Sequence, residues 1–100
     1  MTTGWQVRFS RTAAKQYEKL KLSGQKKPSI RDIVDFLVIE LQKDGPQRAD
    51  WPNYSKLSKN SYHCHLKKGK PTFVACWQVI DEKNKYIEVY YVGTHEGAPY

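Results

Sequence analysis

Three strand-like runs in the C-terminal half of the chain restrict its fold more than any other sequence feature. They cover residues 62–66, 72–80 and 86–92 and are rich in β-branched and aromatic residues. The connections between them, residues 67–71 and 81–85, are too short for the crossover that parallel neighbours require. The three runs are therefore predicted to pair as consecutive antiparallel hairpins.

The N-terminal half carries the patterns of two helices. Ser10 is a candidate N-cap for a first helix that is predicted to end near Leu22. The second helix has clearer limits, because Ser29 can cap it, Asp32 favours its positive end, and Gly45 ends it. Its apolar residues recur every three or four positions and comprise Ile30, Ile33, Val34, Leu37, Val38 and Leu41.

Together these patterns predict an α+β fold. A short strand at residues 6–9 precedes the two helices, which are expected to pack on one face of an antiparallel sheet completed by the C-terminal three-stranded meander. Residues 47–54 form a predicted loop that Trp51 and Tyr54 attach to the core. A length of 100 residues allows one hydrophobic core, so residues 1–100 are assigned to a single domain.

The sequence shows neither a membrane span nor a secretion pattern. No stretch reaches the roughly 18 consecutive apolar residues of a spanning helix, and the first residues lack the basic-then-apolar order of a signal peptide. A cytoplasmic protein without a membrane partner is therefore predicted. Cys64 and Cys76 lie in two predicted strands with no metal-binding or thioredoxin spacing, so buried reduced thiols are expected.

Positive charge is concentrated in two segments of a chain whose net charge is +7. Residues 8–27 hold seven Lys or Arg against one Glu, and residues 56–70 hold five Lys and no acid. Folding can join these segments into one patch that faces RNA or an acidic protein. The alternative is that the lysines only solvate a small domain. The candidate RNA-binding residues are Lys67, Lys68, Lys70, Lys56, Lys59 and Arg11.

Two histidines one residue apart mark the first of the three C-terminal runs. Because alternate residues of a strand point to opposite faces, Tyr62, Cys64 and Leu66 should share one face. His63 and His65 should share the other. The apolar residues are expected to pack beneath the helices, which leaves both imidazoles on the open face of the sheet, about 7 Å apart.

These histidines suit RNA cleavage without a metal or cofactor. The reaction needs a base for the 2′-hydroxyl proton, an acid for the leaving 5′-oxygen and cations for the phosphorane. Histidine, with an ordinary pKa of about 6.5, can act as acid or base near neutral pH. The alternatives are surface histidines without a catalytic role and a three-histidine zinc site, for which no acidic or cysteine partner has a suitable spacing. The candidate catalytic residues are His63, His65, His95 and Tyr100.

The chain resembles the RelE/ParE superfamily of bacterial toxins from toxin–antitoxin systems over nearly its whole length. The order of one strand, two helices and a three-stranded meander matches, as do Leu57, Ser58 and a following Tyr62 at the start of the meander. The last strand is similar to the family's, in which Val-Gly leads into a His or Arg and a tyrosine comes near the terminus. Its residues here are Tyr86, Ile87, Glu88, Val89, Tyr90, Tyr91, Val92, Gly93, Thr94 and His95.

The resemblance implies a small cytoplasmic toxin whose cognate acidic antitoxin blocks its active face. RelE-like members are ribosome-dependent messenger RNA endonucleases that work without a metal in the ribosomal A site, using basic residues and a C-terminal Tyr or His. By position, Tyr100 matches the terminal tyrosine and His95 the basic residue after Val-Gly. Either His63 or His65 matches the basic positions of the first meander strand. The lysines implied to hold RNA are Lys67, Lys68 and Lys70.

The sequence leaves two alternatives to a nuclease function open. RelE-like toxins commonly carry an arginine on the middle meander strand, whereas residues 73–77 contain none. Either the histidines take over its role or the target differs. The ParE branch shares the fold but poisons DNA gyrase without a histidine cluster, so the histidines favour the nuclease. The other alternative is a non-catalytic domain that binds RNA through its lysines and through stacking by Tyr100 or Trp51.

Overall fold

The computed structural model of the chain describes residues 4–20, 29–67, 69 and 71–100. None of the helices in this part of the chain is long and apolar enough to cross a membrane. The α+β class predicted from the sequence is confirmed. In chain order the elements are β1 (Gln6–Phe9), α1 (Arg11–Lys19), α2 (Ile30–Asp44), β2 (Ser55–Lys56), β3 (Ser61–Lys67), β4 (Phe73–Asp81), β5 (Tyr86–Thr94) and a 3₁₀ helix (His95–Gly97).

The strands form one five-stranded sheet in the order β1-β5-β4-β3-β2. β3 pairs antiparallel with β4, and β4 pairs antiparallel with β5. The prediction of a wholly antiparallel sheet was wrong, because β1 pairs parallel with β5. Two parallel strands need a long connection between them. The chain between β1 and β5 contains both helices, so it is long enough for β5 to run either parallel or antiparallel to β1. The sheet is therefore mixed, and β2 adds a short edge strand after the predicted loop.

Both helices begin at the serines that the sequence nominated. The Ser10 hydroxyl accepts a hydrogen bond from the backbone N–H of Ala13 at 3.0 Å and starts α1. Ser29 and Asp32 form a reciprocal capping box at the start of α2, with both bonds at 3.0 Å. α1 ends at Lys19, earlier than expected, and the predicted end at Leu22 lies outside the described residues.

The end of α2 depends on glycine for two reasons. Gly45 has a φ of 90°, a left-handed backbone conformation that side chains with a Cβ disfavour. A Cβ built at this position would also lie 2.9 Å from the indole nitrogen of Trp5. Residue 45 therefore both ends the helix and lets the N-terminal segment pack against that end.

The main core lies between the two helices and one face of the sheet, and we call it the helix-side core. As predicted, Tyr62, Cys64 and Leu66 of β3 belong to it. Trp51 and Tyr54 pack against it and attach the preceding loop, as expected. Its other buried members are Ala13, Val34, Leu37, Leu41, Ala75, Trp77, Ile87, Val89 and Val92.

The opposite face of the sheet carries a smaller apolar layer, which we call the tail-side cluster. Val74, Cys76 and Tyr91 are its buried members, and Leu57, Tyr90 and Ala98 pack against them. Cys64 and Cys76 are both buried and carry free thiols, as the sequence predicted. Burial raises the pKa of the Cys76 thiol to about 12, so this thiol stays protonated and packs as an apolar group.

A β-bulge in β5 decides which residues near its end face the tail-side cluster. Trp77 pairs with Val89, whereas the preceding Cys76 pairs with Tyr91, so Tyr90 is an extra residue. Tyr90 and Tyr91 consequently both lie on the tail side, and Val92 returns to the helix-side core. Without this shift the alternation would carry residue 95 to the helix side. The bulge thus directs His95 to the face that holds the other histidines.

Candidate active site

Four aromatic side chains meet on the tail side of the sheet, and we call them the four-ring cluster. His63 lies 5.9 Å from His65, and His65 lies 5.4 Å from His95, measured between ring centroids. Tyr100 closes the circle at 5.8 Å from His95 and 4.4 Å from His63. The structure therefore brings together all four side chains that the sequence nominated for catalysis.

His63 is the most enclosed member of this cluster. Only 7% of its surface is exposed, because β2 lies on one side of it and the Tyr100 ring on the other. The expectation that both imidazoles lie on an open face was therefore wrong for His63. Its Nδ1 lies 3.0 Å from the hydroxyl oxygen of Ser55, the residue opposite it on β2.

The pKa of His63 lies below its ordinary value. Burial is the largest cause, because it disfavours the charged imidazolium, and the neighbouring His65 and His95 act in the same direction. A backbone hydrogen bond with Ser55 acts against this shift and raises the pKa. His63 is consequently neutral near neutral pH, the state in which an imidazole can accept a proton.

The segment after β5 is held against the sheet along its length. The backbone N–H of His95 donates to the carbonyl of Thr72 at 2.8 Å. The Tyr91 hydroxyl donates to the carbonyl of Thr94 at 2.7 Å, and Ala98 packs into the tail-side cluster. These contacts place the Tyr100 ring over His63 although 48% of Tyr100 is exposed.

The Tyr100 phenol remains protonated near neutral pH. Burial raises its pKa above the ordinary value, and the nearby tyrosines and cysteines act in the same direction. A protonated phenol can donate a hydrogen bond to a phosphate oxygen, or it can stack on a base.

A cleft of about 590 Å³ adjoins the His65–His95 side of the four-ring cluster. The two imidazoles form one part of its wall, and the segment that ends the β3–β4 turn forms another. Among the described residues of its wall, Glu96 is acidic, and it comes directly after His95. The described residues that line the cleft are His65, Gly69, Pro71, Thr72, Thr94, His95 and Glu96.

Among the candidate RNA-binding lysines of the β3–β4 turn, the structure describes only Lys67. It is exposed as the last residue of β3, two positions after His65. Lys68 and Lys70 lie outside the described residues. A β-bulge between His65 and Lys67 pairs Lys67 with Phe73, which packs against the helix-side core. Lys67 therefore lies on the helix side, away from the four-ring cluster.

The other predicted RNA-binding residues lie elsewhere on the molecule. Lys56 pairs with Tyr62 rather than His63, so it points to the helix side, where its ammonium lies 5.9 Å from the centre of the Tyr62 ring. Lys56 and Lys59 line a separate cleft together with Trp5. Arg11 is exposed at the start of α1, which packs on the helix side. The structure does not bring these three cations to the four-ring cluster.

Sequence reasoning did not identify Ser55 or Glu96. Ser55 contacts His63 because β2 pairs with β3. β2 has only two residues, so it has no sequence pattern from which this pairing could be predicted. The sequence could have indicated Glu96, because this residue directly follows the candidate catalytic residue His95. Within the described ranges, no three His, Cys, Asp or Glu side chains are grouped so as to hold a metal ion.

Comparisons of the chain with protein-family models, curated proteins and solved structures found no match. The resemblance to the RelE/ParE superfamily therefore stays a prediction.

Proposed function

We propose that this chain is an endoribonuclease that cleaves RNA by attack of the 2′-hydroxyl on the adjacent phosphate, without a metal. The observation that carries the proposal is the closed circle of contacts among His63, His65, His95 and Tyr100. Three imidazoles and a phenol in mutual contact offer several proton donors and acceptors within the span of one phosphodiester.

His63 is the general base in this proposal. It is neutral near neutral pH because its pKa is lowered, and it can take the proton of the 2′-hydroxyl. The Ser55 hydroxyl oxygen can accept from Nδ1–H in both the neutral ring and the imidazolium, which leaves the lone pair of the neutral ring on Nε2. His63 can therefore gain and release a proton at Nε2 while Nδ1 keeps its partner.

His95 is the general acid. It lies across the four-ring cluster from His63, separated from it by His65 on one side and Tyr100 on the other. It is exposed, so a leaving nucleotide can reach it and depart. As the bond from phosphorus to the 5′-oxygen breaks, His95 gives its proton to that oxygen. The products are a 2′,3′-cyclic phosphate and a 5′-hydroxyl.

His65 and Tyr100 lie between the base and the acid and are proposed to contact the phosphate. The Tyr100 hydroxyl, kept protonated by its raised pKa, donates to a non-bridging oxygen as negative charge develops there. His65 contacts the same group from the other side.

The proposed biological setting is a cytoplasmic toxin that cuts messenger RNA on the ribosome and is neutralised by an acidic antitoxin. Its support is the resemblance to RelE-like toxins together with the net charge of +7, which suits both a nucleic acid and an acidic partner. The ParE-type alternative has no comparable support, since the four-ring cluster has no role in it.

The test is cleavage of messenger RNA by the purified protein, with and without translating ribosomes and with a chelator present. We expect 2′,3′-cyclic phosphate and 5′-hydroxyl ends, and no cut at a position with a single 2′-deoxy substitution. His63→Ala and His95→Ala should each lower the rate by about 10²- to 10⁴-fold, as loss of a general base or acid does. Tyr86→Phe is the control, because Tyr86 lies at the opposite end of β5 from His95.

Three outcomes oppose the proposal in different ways. Cleavage of the 2′-deoxy position, or equal rates for all variants, would refute the mechanism. Binding to RNA without cleavage would support the non-catalytic domain. Expression that stops thymidine incorporation before amino acid incorporation would support the gyrase target.

A further inference from the structure

The cleft beside the four-ring cluster has the character of a base-binding site rather than a phosphate site. Its walls include the imidazoles of His65 and His95 and the ring of Pro71, which offer flat surfaces for stacking. Among the described residues that line it, Glu96 carries negative charge. A carboxylate repels phosphate, so an uncharged planar group is the better occupant.

Hydrogen bonds give this cleft a defined shape. The Thr72 carbonyl accepts from the backbone N–H of His95 at 2.8 Å, which ties the β3–β4 turn to the segment after β5. The Thr72 hydroxyl donates to the carbonyl of Gly69 at 2.9 Å within that turn. Glu96 follows His95 in the 3₁₀ helix, so its backbone position is set by the same contacts.

The chemistry of a carboxylate distinguishes guanine from the other RNA bases. A carboxylate has two acceptor oxygens and no donor. Guanine presents two adjacent donors, N1–H and the N2 amino group, on its Watson–Crick edge. Adenine and cytosine present one amino group beside an acceptor nitrogen, and uracil presents one N–H between two carbonyls, so each places an acceptor against the carboxylate.

We propose that this cleft binds a guanine next to the cleaved bond, with the Glu96 carboxylate accepting from N1–H and the N2 amino group. The inference rests on the proposed nuclease function for its role in cleavage, and it deepens that function by naming the base. The guanine stacks on the His65 side of the cleft, which leaves its phosphate at the four-ring cluster.

Binding of free nucleotides tests the cleft without requiring cleavage. The probes are 3′-GMP, 3′-AMP and 3′-UMP, titrated into the full chain and followed by the NMR signals of Thr94, His95 and Glu96. We expect 3′-GMP to bind roughly 5- to 150-fold more tightly than the other two, the discrimination typical of a bidentate contact to a base. Glu96→Gln should remove this preference. Glu18→Gln is the matched control, since Glu18 is exposed on α1 at the other side of the sheet.

The sequences at the cut sites provide the second measurement. Wild-type protein should cut at a fixed position relative to guanine, and Glu96→Gln should spread the cuts over other bases, whereas Glu18→Gln should not. Cleavage without a guanine preference, or a preference that survives in Glu96→Gln, would overturn the base assignment and leave the nuclease intact. Selective 3′-GMP binding without any cleavage would overturn the nuclease and leave the guanine site. Equal binding of all three nucleotides would refute the site itself.

Discussion

Ser55→Ala is the variant that most directly probes how His63 is held. The substitution removes the oxygen that lies 3.0 Å from Nδ1 of a ring with 7% exposure, so Nδ1 is left without this partner in a buried position. An unsatisfied buried polar group costs about 1–3 kcal/mol. If the reaction's transition state bears this cost, the cleavage rate falls by about 5- to 150-fold.

The pH profile should change little in Ser55→Ala. The contribution of Ser55 that raises the pKa of His63 comes from its backbone, which the substitution keeps. A general base loses activity as pH falls through its pKa, so the acid limb of kcat/KM should stay near its wild-type position while the rate falls. A limb displaced to higher pH would show instead that the substitution opened the site to water, because burial is the largest cause of the lowered pKa.

Ser55→Thr and Ser58→Ala are the controls. Threonine keeps the hydroxyl and should retain most of the rate and the wild-type limb. Ser58 is an exposed serine three residues further along, and its loss should change neither. The reasoning fails if Ser55→Ala cleaves like the wild type, or if Ser55→Thr is as impaired as Ser55→Ala.

Three further variants test burial at the site and in the core. Tyr100→Ala uncovers His63, so the pKa of His63 should rise and the acid limb of kcat/KM should move to higher pH. Tyr100→Phe keeps the ring over His63 and should leave the limb in place. Movement of the limb to lower pH in Tyr100→Ala would contradict this. The pKa of His63 is lowered in the folded state, so the free energy of unfolding should decrease as pH falls below about 6.5. Urea denaturation of the wild type and of His63→Gln should show a smaller decrease in the variant. An equal decrease in both proteins would show that other groups cause it. Leu37→Ala, at a residue 1% exposed, should lower the free energy of unfolding by about 2–5 kcal/mol. Ile39→Ala on the same helix, where 51% of the side chain is exposed, should cost much less, and similar losses at the two positions would contradict the assigned core.

Local rules explain the features that the sequence predicted correctly. Ser29 and Asp32 form their capping box within a single turn, and Gly45 adopts its positive φ where the periodic pattern stops. The alternation in β3 assigned Cys64 to the helix-side core and His63 to the other face. Each outcome depends on neighbours a few residues apart, so the amino-acid order is sufficient to predict it.

Charge along the sequence was a poor guide to which cations lie together. Lys56 and Lys59 belong to the basic segment that contains His63 and His65, and the sequence predicts that they share one RNA-binding surface. In the folded chain the pairing of β2 with β3 turns Lys56 to the helix side, while its neighbour Ser55 contacts His63 on the tail side. Adjacent strand residues face opposite ways, so proximity in sequence does not imply a shared surface.

The amino-acid sequence by itself determined the elements, their caps and the two faces of β3, because these follow from spacing and local hydrogen bonding. Only the tertiary structure decided that β1 runs parallel to β5, and that the extra residue Tyr90 shifts the alternation and brings His95 to His65. The first outcome depends on pairing between strands near the two ends of the chain, and the second on how the β4–β5 hairpin packs against the apolar layers on its two faces. The packing of the whole core selects both.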